Sequence, residues 1–364
     1  MPKPGLSLGE SIERKKVHRS PTLLSIQALR AAAALGVMAL HVENEVMSHV
    51  IKAPVASMTF LVGAAGVDLF FVISGFVMVY ASETLFGRRD APILFFLRRL
   101  ARIAPLYWTL TAALILYILA AHGGRLMEIY SPASLVASFL FYPYPRLDGL
   151  AFPVHLLGWT LNYEMFFYVV FAIAIVLPRR EAVIAVSVFF VAIVAIGAVF
   201  ALPLPLSFWA DSIILEFCFG MLIALSYRNG LRLSPVISWA LGLAACLAFM
   251  WYPTSGLRVL FWGLPSAALV AALALSTHTW HPGPIGRFFG LLGDASYSLY
   301  LVHGLVYAIV HWTLARWIDF SPFPWVYALL AFLLAIAGGL CSYLLFERPA
   351  TRMLQRWIVR ETKN

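Results

Sequence analysis

Apolar stretches recur along this chain at about 23–42, 59–81, 105–121, 157–177, 182–202, 208–225, 235–252, 258–277, 291–312 and 325–346. Each is long enough to cross about 30 Å of hydrocarbon as a helix. Helix breakers punctuate them at Pro105, Pro178, Pro203, Pro205, Pro253, Pro282, Pro284, Pro322 and Pro324, and Pro105 is expected to open the third span. The stretch Ser134–Tyr142 is too short to span and is expected at the interface or as a re-entrant segment. The first stretch follows a basic leader, as in a signal peptide. It lacks an A-x-A cleavage site and is interrupted by Arg30, so a retained first helix is expected.

Composition removes the soluble alternatives. Hydrophobic residues make up 62% of the 364 residues and charged ones only 12%, against about 45–50% and 25% in an ordinary soluble domain. The same numbers exclude disorder. The expected fold is therefore all-α, a polytopic transmembrane bundle of about ten spans. The net charge of +9 has a topological reading. With ten spans, twenty of the 26 Lys and Arg fall on the side of the two termini and five on the other. By the positive-inside rule both termini are expected in the cytoplasm.

The expected division is a tail over 1–20, a membrane domain over 21–350 and a basic tail over 351–364. Long basic runs interleaved with aromatics are absent, so nucleic acid is not expected as a partner; membrane lipids are. Cys218, Cys246 and Cys341 are isolated in apolar runs and read as packing residues.

Ionisable residues at membrane depth are costly and usually functional. In SIQALRAAAALGVMALHV, Arg30 and His41 share one helix face about 16 Å apart. Snorkelling to the two interfaces is the structural alternative. GVDLFFVISGFVMVY carries Asp68, Ser74 and Gly75, and the Ser-Gly pair also suits close helix packing. In FFLRRLARIAPLYWT, Arg99 and Arg102 stand three apart on what reads as a short cytoplasmic turn ended by Pro105. Such a fork fits phosphate oxygens, or anchors the chain at anionic headgroups.

LLGWTLNYEMFFYVVF adds Trp159 and Glu164, with Tyr168 one turn beyond. Glu216 lies in the sixth span and Asp294 is expected to open the ninth. In DASYSLYLVHG, Ser296, Tyr300 and His303 form one stripe. No HExxH, P-loop, GxSxG or His/Cys metal spacing is present, so no metal is expected. These residues by themselves admit either an enzyme or a transporter.

Taken in order, these segments and a terminal FERPA resemble the acyltransferase-3 family of membrane O-acyltransferases, and within it the exopolysaccharide-modifying, ExoZ-like branch. The likeness runs from about Ser25 to Ala350. It implies transfer of an acyl group, commonly acetyl, from cytoplasmic acyl-CoA to a carbohydrate hydroxyl, in the inner (cytoplasmic) membrane. The family's first-helix Arg and His fall on Arg30 and His41, and its Arg-x-x-Arg signature on Arg99 and Arg102. Its Ser-Gly-Phe matches Ser74, Gly75 and Phe76, and its Trp…Glu matches Trp159 and Glu164.

The expected mechanism has Arg99 and Arg102, with Ser74 and Gly75, on the acyl-CoA, and His41 as general base. Either Asp68 or Glu164 orients the imidazole, which the sequence leaves open. Arg30 steadies the thioester oxygen, and Trp159, Tyr300 and His303 line the acceptor path. An acyl-histidine intermediate is a variant of this scheme. The competing classes are a flippase or transporter for polysaccharide intermediates and a structural subunit of an assembly complex. Coenzyme A binding separates the first from the enzyme, and the second would tolerate loss of His41 and both arginines.

Overall fold

A computed structural model describes residues 21–52, 60–122, 125–250, 258–277, 283–314 and 317–361. The N-terminal tail, Pro253, Pro282, Arg316 and Lys363 lie outside the described residues. Described regular structure is helical, apart from one bridge between Leu233 and Ser276. The helices are α1 Pro21–Glu45, α2 Ala65–Ala81, α3 Ala91–His122, the short α4 Arg125–Ile129 and α5 Pro132–Phe139, α6 Trp159–Ala174 and α7 Arg179–Val199. They continue with α8 Leu206–Trp209, α9 Leu215–Arg228, α10 Pro235–Ala248, α11 Leu264–Ala274, α12 Pro284–Asp294, α13 Ser296–Leu314, α14 Pro324–Ser342 and α15 Arg348–Glu361.

Helix covers most of the described part of every apolar segment read from the sequence. Among the described residues six helical runs are long and apolar enough to cross a membrane: Leu24–Ile51, Val62–Ala81, Ala91–Ala120, Leu156–Ala174, Arg179–Val199 and Pro324–Arg360. The segments around α9, α10 and α11 form shorter helices, and α13 is a helix of 19 residues that carries Ser296, Tyr300 and His303.

Two expected boundaries are corrected. Pro105 does not open the third span but sits inside α3, a continuous helix of 32 residues. Arg99 and Arg102 therefore belong to the same rigid rod as the apolar part, not to a separate cytoplasmic turn. Proline is tolerated inside membrane helices where neighbours satisfy the freed backbone. Asp294 ends α12 rather than opening a span, because the helix is interrupted by a turn at Ala295 before α13 begins.

Helix α1 lies between two packed groups of residues. One face, with Ile26, Ala33 and Val37, joins an aromatic core built by α2, α6, α7 and α9, where Phe71, Phe167 and Phe217 stack. The other face, with Ala31, Ala34 and Met38, packs on α13 and α14. Alternating small residues let one helix serve both sides.

Helices α2 and α9 touch backbone to backbone. A Cβ at Gly75 would stand 2.1 Å from the Phe217 carbonyl oxygen, and one at Gly220 only 1.9 Å from that of Val72. This contact turns Gly75 towards α9. Helix α14 continues through the wide π-helical turn Tyr343–Glu347 into α15. There Arg352, Arg356 and Arg360 recur every four residues, while Leu354 and Ile358 meet the core.

The close approach of α2 and α9 gives a test by reversible unfolding in mixed micelles. Gly75→Val or Gly220→Val should lower stability by about 1–3 kcal/mol through overpacking. At Gly242 a Cβ would meet nothing nearer than 3.9 Å. Gly242→Ala should therefore stay within about 0.5 kcal/mol of the parent. Equal effects at the three sites would contradict this packing.

Candidate functional site

Helices α1, α2, α3, α6 and α13 enclose a cavity of about 90 Å³ at the seam beside α1. Its polar wall comes from Arg30, Ser74, Arg99, Arg102, Thr160, Glu164, Tyr168, Ser296, Tyr297 and Tyr300. The local fold fixes most of these groups. Arg30 donates from Nε and Nη2 to Ser296 Oγ at 3.1 and 2.9 Å. Glu164 accepts from Ser74 at 3.1 Å and from the Tyr168 hydroxyl one turn along α6. Tyr297 donates to the Ile103 carbonyl at 2.7 Å, which locks α13 to α3.

Arg99 and Arg102 differ from the rest. Arg99 lies over the Phe95 ring, 5.5 Å from its centroid. Among the described residues neither guanidinium has a hydrogen bond or an ion pair, and both are only partly buried. The wall thus presents two uncommitted guanidiniums beside a third, with Glu164 as its carboxylate. A further acid stands close by. Glu347, placed by the wide turn after α14, accepts from Ser298 at 2.6 Å and acts electrostatically on Arg102 and Arg30.

The two histidines come together. His41 Nδ1 and His303 Nε2 are 2.8 Å apart, so the stripe read on α1 faces the stripe read on α13. Arg30 meets Ser296 and His41 meets His303, in the same chain order, so the two helices run parallel. Neither imidazole lines the cavity; Tyr300, which does, has its ring centroid 6.2 Å from that of His303. The Tyr300 hydroxyl donates to the Leu157 carbonyl and lies 3.1 Å from that of Thr160.

Other expected site residues fall elsewhere. Asp68, fully buried, receives a bidentate fork from Arg258, Nε to Oδ1 at 2.9 Å and Nη2 to Oδ2 at 2.6 Å. Buried Glu216 adjoins that pair. Of the two acids considered for orienting His41, Asp68 is committed to Arg258 and Glu164 to Ser74 and Tyr168. Neither reaches the imidazole. Gly75 faces α9, and Trp159 packs edge-on against Tyr163 with centroids 6.1 Å apart; neither lines the cavity.

Arg258 and Glu347 received no site role from the sequence. In the ten-span reading Arg258 is one of the five basic residues on the side opposite the termini. Glu347 lies in the terminal FERPA that helped to carry the resemblance, and its place as an acid ending the apolar run SYLLFE was the signal for a site role. Among the described residues no three His, Cys, Asp or Glu side chains gather as metal ligands.

Comparison with known proteins adds the family. The acyltransferase-domain profile matches residues 23–345. The exopolysaccharide production protein ExoZ of Rhizobium meliloti (strain 1021) is 34% identical over 299 residues, 80% of this chain and 91% of that protein. The acyltransferase MdmB of Streptomyces mycarofaciens is 29% identical over 372 residues, 92% of this chain and 93% of the relative. No solved structure matches the chain.

The Asp68–Arg258 pair is testable as a structural element. Arg258 is 31% exposed, so Arg258→Met should cost towards the lower end of the roughly 3–5 kcal/mol seen when one partner of a buried pair is removed. Asp68→Leu combined with Arg258→Met should recover most of that loss in thermal unfolding. A single Arg258→Met variant as stable as the parent would contradict a structural role.

Proposed function

We propose, for a chain that belongs to the acyltransferase-3 family and is an O-acyltransferase, that it moves an acetyl group from cytoplasmic acetyl-CoA to a hydroxyl of an exopolysaccharide or related envelope glycan. The reading places the chain in the inner membrane with ten spans and both termini in the cytoplasm. The carrying observation is the pair Arg99 and Arg102, uncommitted on the wall of a cavity that also holds Arg30. Guanidiniums three apart on one helix match the oxygens of a coenzyme A phosphate. The name of the exopolysaccharide-production relative supports a carbohydrate acceptor.

In this reading the phosphates rest on Arg99 and Arg102 and the thioester arm points along the seam towards Tyr300. The acceptor hydroxyl approaches from the side of His41. His41 removes the hydroxyl proton as the oxygen attacks the thioester carbon, general-base catalysis by an imidazole suited to neutral pH. The carbon–sulfur bond then breaks, and the thiolate leaves with the proton returned by the imidazolium. Arg30, about 16 Å along α1 from His41 and held by Ser296, adds a third positive charge to the wall that meets the coenzyme A. Glu164 acts indirectly, holding Ser74 and Tyr168 in the wall.

Purified protein in liposomes, given labelled acetyl-CoA and candidate glycans, tests each part. His41→Ala should lower turnover by about 10²–10⁴-fold. Full transfer by that variant would remove His41 from the chemistry. Arg99→Ala and Arg102→Ala should each weaken acetyl-CoA binding by about ten- to a hundredfold, the worth of a charge-assisted hydrogen bond. Unchanged affinity in the double variant would refute the phosphate assignment. For topology, a reporter fused after Asn364 should be active in the cytoplasm; activity outside would overturn the ten-span orientation.

A further inference from the structure

The bond between His41 and His303 has a direction that the neighbouring contacts determine. The ring centroids are 5.0 Å apart and the planes inclined by 15°. Two imidazoles joined nitrogen to nitrogen at 2.8 Å reach a centroid separation of at most about 5 Å when the bond is in line with both rings. The contact is therefore a nearly linear hydrogen bond. Such a bond needs a proton on one nitrogen and a lone pair on the other.

The far side of His303 decides which. Its Nδ1 lies 3.0 Å from the Leu299 carbonyl oxygen, one turn earlier on α13. A carbonyl only accepts, so Nδ1 of His303 carries the proton and its Nε2, in the neutral ring, carries the lone pair. His41 must then donate from Nδ1, which leaves the lone pair of His41 on Nε2. Among the described residues no hydrogen bond occupies that nitrogen, and the His41 ring is only partly buried. A doubly protonated His303 is disfavoured: the residue is fully buried, and among the described residues no carboxylate bonds to either ring.

We propose that His303 is a positioning residue that holds His41 in the tautomer with the proton on Nδ1 and the basic lone pair on Nε2. The inference rests on the reading of His41 as the base. The buried carboxylate of a Ser-His-Asp triad fills the same role, fixing orientation and tautomer. A neutral imidazole differs in one respect, since it offers no countercharge. An imidazolium at His41 is then held less firmly, which favours return of its proton to the leaving thiolate. Tyr307 supports the arrangement by donating to the Met38 carbonyl at 3.0 Å, with its ring 5.5 Å from that of His303.

The full-length protein, labelled with ¹⁵N-histidine in micelles and with His41 assigned by difference against His41→Ala, provides the test. Nitrogen shifts of the parent should show His41 protonated at Nδ1 and bare at Nε2. His303→Leu removes the acceptor; His41 should then become a mixture of tautomers and kcat should fall by about ten- to a hundredfold, with KM for acetyl-CoA unchanged. His303→Gln keeps an acceptor oxygen and should restore the tautomer and most of kcat. A parent protonated at Nε2 of His41, or a His303→Leu variant with the parent's tautomer and kcat, would overturn the proposal. Failure of the base reading is separate, since it appears as activity retained by His41→Ala whatever the tautomer.

Discussion

The site depends on a seam between two parallel helices, α1 and α13, joined at two levels. Arg30 is held by Ser296 and His41 by His303. In a hydrocarbon environment a polar side chain without a partner is expensive, so these contacts decide which faces of the helices meet. Small residues between Arg30 and His41 then let α1 pack two ways, on α2 through Ala33 and Val37 and on the α13–α14 side through Ala31, Ala34 and Met38. The cavity lies among α1, α2 and α13, and α3 and α6 close it with Arg99, Arg102 and Glu164.

Charges at membrane depth fall into two populations that a list of residues does not distinguish. Asp68 and Arg258 satisfy one another by a bidentate bond, as a fixed element between α2 and the start of the α11 region. Arg99 and Arg102 make no hydrogen bond or ion pair among the described residues. A charge that the fold leaves uncommitted beside a cavity is available to a ligand of opposite sign, whereas a paired one already carries its partner. The same contrast separates Gly75 from Ser74. Adjacent on α2, one abuts the α9 backbone and the other bonds to Glu164 in the wall.

Much of the helical plan was legible because burial in lipid demands long apolar runs, and these are visible as composition. Glu164 and Tyr168 were legible as a pair because four residues on a helix span one turn. The two stripes, Arg30 with His41 and Ser296 with Tyr300 and His303, were likewise visible from helical spacing. The partner of His41 was not. Asp68 and Glu164 were the natural candidates, since a carboxylate is the usual orienter of an imidazole. The structure instead supplies a second imidazole 262 residues away in sequence. Pro105 misled for a related reason: the rule that proline starts helices comes from water, and inside a bundle the helix ran through it.

By itself, the sequence determined the class of molecule, the places of its helices and the faces on which its few ionisable groups stand. Those properties follow from local periodicity and from the cost of polar atoms in hydrocarbon, and neither requires knowing which helix neighbours which. Tertiary structure alone decided the pairings: Arg258 for Asp68, His303 for His41, α9 for Gly75, and a cavity for the arginine pair. Helices of similar apolar surface gain about as much from one neighbour as from another in lipid. The choice rests on backbone approach at glycines and on a handful of polar bonds, and those exist only once the helices are assembled.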